Sequence, residues 1–243
     1  MRTILLFLAL VTFFIVTLPA YLILLLLRKY NKRLSVKISQ VFVNYGFRFV
    51  LFFAGTKRKV IGVENVPKDQ AVLYVANHRS YADIPLAYIT LPTLTGFIAK
   101  KEIEKVPFLS WWMKNLNCLF LDRDDLKAGL KTILQGIDYI KDGYSMFIAP
   151  EGTRNHGDEL LPFKEGSLKM AQKTGCLIIP VAITGSDDVF EKHVPWVRRA
   201  NTIIEYGKPI NIKELPPENQ KFLGAYMREV ITEMLANHKQ LEQ

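Results

Sequence analysis

Two short segments each follow an apolar run and gather residue types suited to acid–base or phosphate chemistry. The first, residues 77–83, reads Asn-His-Arg-Ser-Tyr-Ala-Asp and directly follows the run AVLYVA. A strand that ends at Ala76 places His78 on the loop, Ser80 at the N-cap of the next helix and Asp83 one turn into it. An imidazole held in one tautomer by a carboxylate is a competent general base toward an alcohol, worth about 100- to 10,000-fold in rate. His78 and Asp83 are therefore the candidate catalytic residues.

The same segment also fits a structural role. Ser80 with Asp83 three positions later is a short-acid version of the capping box, which needs no catalytic function. A protein nucleophile is missing nearby, so a base at His78 requires that the attacking hydroxyl come from the substrate.

The second segment, residues 150–154, reads Pro-Glu-Gly-Thr-Arg and follows the run SMFIA. Pro and Gly favour a turn, on which Glu151 and Arg154 present a carboxylate and a planar fork suited to phosphate. Lys164 adds a cation before the next helical stretch. An ordinary surface turn with a salt bridge is the alternative. The candidate substrate-binding residues here are Glu151, Gly152, Thr153, Arg154 and Lys164.

Cations recur at or near the ends of several candidate strands. Each one alone fits a solvated strand end, but together they predict a phosphate pocket beside the base. The cations concerned are Arg79, Lys100, Arg123 and Arg154.

Short apolar runs alternate with helical patterns from residue 55 onward. The candidate strands are residues 60–63, 71–76, 95–99, 118–121, 145–149, 176–184 and 202–206. Residues 125–141 carry one apolar stripe at helical spacing, formed by Leu126, Leu130, Ile133, Ile137 and Ile140, and residues 218–239 predict a closing helix. This alternation predicts an α/β fold with a mostly parallel central sheet flanked by helices, whose site lies beyond the carboxyl ends of the strands.

An N-terminal membrane helix is predicted before this domain. Residues 4–27 carry no charge, and as a helix they measure roughly 36 Å against a hydrocarbon core of about 30 Å. The segment is too long for a cleaved signal peptide, so we expect it to be retained. Pro19 leaves spanning and half-inserted forms open. Five cations follow the segment and predict a cytoplasmic catalytic domain at the inner membrane: Arg28, Lys29, Lys32, Arg33 and Lys37.

Residues 34–54 predict an amphipathic helix, with polar residues at 37, 40, 44 and 48. The helix fits both an interfacial position and packing on the core. We therefore divide the chain into membrane-associated helices at 1–54 and an α/β domain at 55–243. Two further groups are candidate interfacial anchors, although the first also fits the core: Trp111 with Trp112, and Trp196 with Arg198 and Arg199.

Composition narrows the class of partner. The net charge of +9 implies anionic partners, and the membrane segment together with the lack of a nucleic-acid-binding motif argues against nucleic acid. Cys118 and Cys176 each lie in an apolar run without a metal-ligand partner, so we expect inert thiols. The four scattered histidines suggest no metal site.

Taken in order, these motifs resemble those of the glycerolipid acyltransferase family. Its NHxSxxD motif is matched at residues 77–83, its apolar pair with Asp-Arg by FLDR at 120–123, and its PEGTR motif at 150–154. The family's Phe-Lys-x-Gly is matched by FKEG at 163–166, and its apolar-Pro-apolar strand by IIPVAI at 178–183. Arg79 and Leu121 depart from the residues often found there, but neither change removes a catalytic group.

The resemblance implies an O-acyltransferase of phospholipid biosynthesis. It would move a fatty acyl group from acyl-coenzyme A or acyl carrier protein to the sn-2 hydroxyl of 1-acyl-sn-glycerol 3-phosphate, giving phosphatidic acid without a metal or other cofactor. His78 would deprotonate that hydroxyl and Asp83 would hold the imidazole. Arg123 and Glu151 would shape the acceptor site, and Arg154 would bind the phosphate. Three alternatives stay open: another lysophospholipid or lyso-aminolipid acceptor, an acyl hydrolase, and a non-enzymatic membrane adaptor for anionic lipid.

Overall fold

The computed structural model describes residues 2–241 and consists of two long helices followed by an α/β sheet domain. Seven strands form the sheet: β1 (Lys57–Ile61), β2 (Leu73–Ala76), β3 (Thr95–Lys100), β4 (Leu119–Leu121), β5 (Ser145–Ile148), β6 (Ile178–Thr184) and β7 (Asn201–Tyr206). The helices are α1 (Arg2–Tyr30), α2 (Lys32–Ala54), α3 (Asp83–Tyr88), α4 (Leu109–Asn115), α5 (Leu126–Lys141), α6 (Lys169–Thr174), α7 (Pro217–Lys221) and α8 (Leu223–Leu241).

The strands lie in the order β1-β7-β6-β2-β5-β3-β4, and every neighbouring pair is parallel except β6 with β7. The central strands β2 and β5 are buried along their whole length. Apolar side chains on one sheet face pack against α1 to α4, and those on the other face pack against α5, α6 and α8. The predicted α/β class with a mostly parallel sheet is confirmed.

Two predicted helices differ in detail from the structure. In α5, the side chain of Asp125 caps the first turn by accepting from the N–H groups of residues 127 and 128, as an acidic N-cap does. Ile133, Ile137 and Ile140 are buried, but Leu126 and Leu130 of the same stripe are exposed because the core does not extend under the first turns. The closing helix is split at Phe222, which ends α7 and is itself exposed.

The helical hairpin of α1 and α2 contacts the sheet domain at both of its ends. At the start of α1, Thr3 Oγ1 accepts a hydrogen bond from the Val197 N–H at 2.9 Å. At its end, the Arg28 guanidinium donates to the Asn115 carbonyl at 2.8 Å and to Asn117 Oδ1 at 2.7 Å. By length and composition α1 is the one helix in the described residues able to cross a membrane.

The hairpin turns an apolar face outward. On α2, Gln40 bonds the backbone of Thr93 and Thr95 in the sheet domain, so part of the polar stripe faces inward. The outward face consists of apolar residues of both helices, among them Ile4, Phe7, Ile15, Leu22, Ile23, Leu26, Tyr45, Phe49 and Phe52. A contiguous exposed apolar surface of this kind marks a lipid or protein interface. The predicted boundary between residues 54 and 55 stays a prediction.

An apolar cavity of about 590 Å³ lies between the hairpin and the sheet domain. Its walls come from α1, α2, α3, α4 and neighbouring strands, and they include Phe13, Gly46, Ile84, Tyr88 and Trp112. The volume is within the range of about 300–1,000 Å³ that is typical of ligand pockets. The hairpin therefore completes a binding-sized cavity that the sheet domain alone does not enclose.

Candidate active site

The two motif loops leave the carboxyl ends of adjacent central strands. β2 pairs with β5 on one side and with β6 on the other, so the loops after these three strands meet at one edge of the sheet. The first loop is fixed at its start by Asn77, whose buried side chain donates to the Ile183 carbonyl at 2.9 Å and accepts from the Ile183 N–H at 2.8 Å. A rigid strand end therefore presents His78.

His78 and Asp83 form a direct hydrogen bond, with 2.8 Å between Nδ1 and Oδ2. The same carboxylate oxygen accepts from the backbone N–H groups of Arg79 at 2.8 Å and Ser80 at 2.9 Å. Asp83 is buried, whereas the His78 side chain is 21% exposed. Since Nδ1 is bonded to Asp83, Nε2 is the nitrogen left to accept a proton from a bound molecule.

The predicted N-cap at Ser80 is wrong. Helix α3 begins at Asp83, and Ala82 occupies the cap position without a side-chain cap bond. The Ser80 hydroxyl accepts from the Ala82 N–H at 2.9 Å and donates to Glu191 Oε2 at 2.5 Å. The Ser80 N–H still donates to Asp83 Oδ2, as in a capping pair, and the same carboxylate oxygen also holds the imidazole.

Glu151 supports the loop that carries His78. Its buried carboxylate accepts from the His78 N–H at 2.9 Å and from the Leu161 N–H at 3.0 Å. The Asn155 N–H also donates to the His78 carbonyl at 2.8 Å. With both oxygens engaged by backbone, Glu151 fixes the position of His78, and its predicted contact with substrate stays a prediction.

Arg154 is held over the first loop. Its guanidinium carbon lies 3.8 Å from the ring centre of Tyr81, and its Nη1 lies 3.1 Å from Glu191 Oε1. Gly152 has a φ of +77°, and a Cβ there would lie 3.1 Å from Lys164 Nζ, so the turn brings this lysine close. Thr153 is exposed between the two cations.

Three predicted cations contact other residues of the protein, and their predicted contact with substrate stays a prediction. Arg79 is tied to neighbouring loops, with Nη1 3.0 Å from the Gly157 carbonyl and Nη2 3.3 Å from Asp187. Lys100 pairs with Glu102 at 2.7 Å. Lys100 and Arg123 form no ion pair or hydrogen bond with His78 or Arg154 within residues 2–241.

Strand order explains this separation. Arg123 follows β4 at the sheet edge, three strand positions or about 14 Å from β2. Burial lowers the pKa of its guanidinium, against the opposing effect of Glu102 and Asp124. Arg79 and Arg154 therefore lie on loops after the central strands, whereas Lys100 and Arg123 lie at the ends of strands nearer the sheet edge.

Ser80 and the two cysteines are poorly suited to act as nucleophiles. The Ser80 side chain is fully buried and hydrogen-bonded. Burial raises the pKa of the Cys118 thiol to about 12 and also raises the pKa of Cys176, which keeps both thiols protonated at neutral pH. The geometry therefore suits a base that activates a hydroxyl supplied by a bound substrate.

Glu191 is the site residue that sequence reasoning missed. Its side chain is 4% exposed and accepts from the Ser80 hydroxyl, from the Tyr81 N–H at 2.8 Å and from Arg154. It lies in a single helical turn after β6, the other neighbour of β2. Residues 185–191 directly follow β6 and include three acidic residues. The rule that sites lie beyond the carboxyl ends of the strands therefore points to this loop as well.

Comparison with known proteins agrees with this geometry. The family profile described as Acyltransferase matches residues 57–184, which contain both motif loops. The chain belongs to this acyltransferase family. A relative from Borreliella burgdorferi, a 1-acyl-sn-glycerol-3-phosphate acyltransferase, is 30% identical over 204 residues, which cover 84% of this chain and 81% of the relative. A Saccharomyces cerevisiae enzyme of the same name is also 30% identical, over 77% of this chain and 61% of its own length.

A solved structure extends the similarity to the hairpin. The crystal structure of the 1-acyl-sn-glycerophosphate (LPA) acyltransferase PlsC from Thermotoga maritima matches with a TM-score of 0.74 and 28% identity, covering 98% of each chain. The resemblance inferred from the motifs is thereby confirmed, and the protein is an acyltransferase.

Asp83→Asn is expected to lower kcat by about 100- to 10,000-fold. The amide removes the negative charge that stabilises a protonated His78 and disturbs the tautomer that leaves Nε2 as the base. Steady-state acyl transfer measures the effect, and Asp138→Asn on the exposed face of α5 is the matched control. A kcat close to wild type in Asp83→Asn would show that the hydrogen bond has no catalytic role.

Glu191→Ala is expected to destabilise the folded state by about 1–3 kcal/mol, because a buried hydroxyl and a backbone N–H lose their acceptor. Displacement of the loop that presents His78 is expected to reduce acyl transfer by up to about 100-fold. Denaturant unfolding and rate measurements test both effects, with exposed Glu233→Ala as the control. Unchanged stability and rate would mean that Glu191 does not organise the site.

Proposed function

We propose that this acyltransferase moves a fatty acyl group from an acyl thioester to the sn-2 hydroxyl of 1-acyl-sn-glycerol 3-phosphate, giving phosphatidic acid. The observation that carries the proposal is the His78–Asp83 pair beside an apolar cavity. Ile84, the residue after Asp83, lines that cavity, so the base and the apolar site share helix α3.

The reaction is a direct transfer. His78 Nε2 takes the proton of the acceptor hydroxyl as its oxygen attacks the thioester carbonyl, and the buried Asp83 carboxylate stabilises the resulting imidazolium. Collapse of the tetrahedral intermediate breaks the carbon–sulfur bond and releases a thiolate, which receives the proton from His78. The new ester and the free thiol account for every atom, and no acyl-enzyme is formed.

Arg154 and Lys164 are the cations placed to receive the acceptor phosphate. They flank the Gly152–Thr153 turn, and Lys164 forms no ion pair within residues 2–241. Arg154 forms an ion pair with Glu191 through Nη1 and stacks one face of its guanidinium on the Tyr81 ring. Its other N–H groups are left to donate to a phosphate oxygen. Arg79, held by Asp187, positions the loop instead.

The apolar cavity is the proposed site of an acyl chain. It is lined almost entirely by aliphatic and aromatic side chains, which favour an alkyl chain over any polar group. The donor is acyl-coenzyme A or acyl carrier protein, because the chemistry at His78 requires only the thioester that both supply.

The contacts of the hairpin support a monotopic association of the enzyme with a membrane. At about 1.5 Å per residue, 29-residue α1 is about 44 Å long, yet both of its ends are bonded to the sheet domain. A helix crossing a hydrocarbon core of about 30 Å would carry one end away from that domain. We propose insertion of the outward apolar face into one leaflet, with the catalytic domain at the cytoplasmic face of the inner membrane.

The decisive assay supplies the solubilised enzyme with labelled oleoyl-coenzyme A and lysophosphatidate. Wild type is expected to form phosphatidate, and His78→Ala is expected to lose about 100- to 10,000-fold in rate. His156→Ala, at an exposed histidine, is the matched control. Lysophosphatidylcholine in place of lysophosphatidate tests the role of the phosphate monoester and is expected to react poorly.

Three results would count against the proposal. Release of free fatty acid in preference to phosphatidate would indicate a hydrolase. Efficient acylation of lysophosphatidylcholine would indicate a different acceptor. Full activity in His78→Ala would remove the base from the mechanism.

A further inference from the structure

Four exposed cations cluster where the hairpin joins the sheet, and we call this cluster the basic edge. It consists of Lys57, Arg58, Arg198 and Arg199. Lys57 and Arg58 begin β1, the edge strand that starts three residues after α2 ends. Arg198 and Arg199 lie three and two residues before β7 begins. The Lys57 N–H donates to the carbonyl of residue 200 at 2.9 Å, which brings the two pairs together.

The basic edge consists of clustered cations without carboxylate partners in the part of the chain that the structure describes. All four residues are exposed, and none forms an ion pair within residues 2–241. Some exposed lysines elsewhere are paired at 2.5–3.0 Å: Lys100 with Glu102, Lys101 with Asp122, Lys114 with Glu104, and Lys192 with Asp188. Others, such as Lys169 and Lys208, are also unpaired among the described residues, so the basic edge is distinguished by the clustering of its cations. Four adjacent like charges without counter-charges produce a local positive field that favours an external anion.

Apolar side chains border the basic edge on the membrane side. Trp196 is 57% exposed and Phe52 is 76% exposed. Residue 197 bonds Thr3 in the first turn of α1, beside the outward-facing Ile4. Tryptophan next to cations at the margin of an apolar face is the arrangement found at a membrane–water interface.

The opposite end of the hairpin is also cationic. Lys29, Arg33 and Lys37 are exposed where α1 ends and α2 begins. Because cations bound the apolar face at both ends, both ends lie at headgroup depth and the hairpin lies along the membrane plane. The occupant of the basic edge is then the headgroup layer of the same leaflet.

We propose that the basic edge binds anionic phospholipid headgroups and so orients the sheet domain on the membrane. This inference rests on membrane insertion of the hairpin and is independent of acyl transfer, since binding is measured without substrates. Each cation near an anionic surface is worth about fivefold in affinity, so four together are expected to contribute well over tenfold at low salt.

Flotation with vesicles tests the proposal with the full-length protein. Vesicles of phosphatidylcholine alone are compared with vesicles that also contain phosphatidylglycerol. The test variant carries Lys57→Gln, Arg58→Gln, Arg198→Gln and Arg199→Gln. The control variant removes the same charge from four exposed lysines elsewhere, as Lys169→Gln, Lys173→Gln, Lys208→Gln and Lys213→Gln.

Wild type and the control variant are expected to bind the anionic vesicles at least about tenfold more tightly than the neutral ones. This gain in affinity is expected to fall at high salt. The test variant is expected to lose most of this gain while keeping its affinity for neutral vesicles. If the fourfold variant does not fold, Arg198→Gln with Arg199→Gln, outside the sheet, is expected to lose part of the gain.

Three outcomes would overturn the proposal. The first is a test variant that keeps the full gain in affinity for anionic vesicles. The second is a control variant that loses as much of this gain as the test variant, which would show that the net charge of the protein determines binding. Equally tight binding of a labelled DNA duplex to the basic edge at the same salt would indicate a general polyanion surface.

Discussion

The site depends on one carboxylate oxygen, Oδ2 of Asp83, which accepts hydrogen bonds from the His78 ring and from two backbone N–H groups. A buried carboxylate is stable only when such donors replace its hydration. Because the same oxygen closes the loop and fixes the imidazole, the backbone conformation and the identity of the basic nitrogen are coupled. Glu151 and Glu191 hold the same loop from the two neighbouring strands. Three buried carboxylates thus keep one histidine in place.

The fold also has to bring a water-insoluble chain to this polar site. The sheet domain supplies the polar loops at its carboxyl edge, and the hairpin supplies apolar walls. Helix α3 links them, because its first residue is Asp83 and the next, Ile84, faces the cavity. Contacts at both ends of α1 keep the hairpin against the domain, so the cavity and the base retain a fixed relation when the outer face meets lipid.

The local sequence pattern was sufficient to predict much of the fold and the catalytic pair. Each of the seven predicted apolar runs overlaps a strand, although β1 begins three residues before its predicted run and is largely exposed. His78 and Asp83 met as their spacing predicts. The sequence pattern was insufficient where contacts, distances or burial depend on how the elements pack in three dimensions. The contacts of Arg79 and the distance of Arg123 follow from strand order, which sequence spacing does not contain. Glu191 lay outside the family motifs, and the outward side of α1 depends on which residues the domain covers. Leu126 remained exposed because amphipathic spacing does not reveal where a core ends.

Direct transfer requires that His78 activate a substrate hydroxyl and that the protein never carry the acyl group. Intact-protein mass spectrometry after mixing enzyme with acyl-coenzyme A, first without and then with lysophosphatidate, tests it most directly. Direct transfer predicts an unmodified protein mass in both cases, with free coenzyme A released only when the acceptor is present. A protein heavier by one acyl group, formed before acceptor is added and lost when it is added, would contradict it.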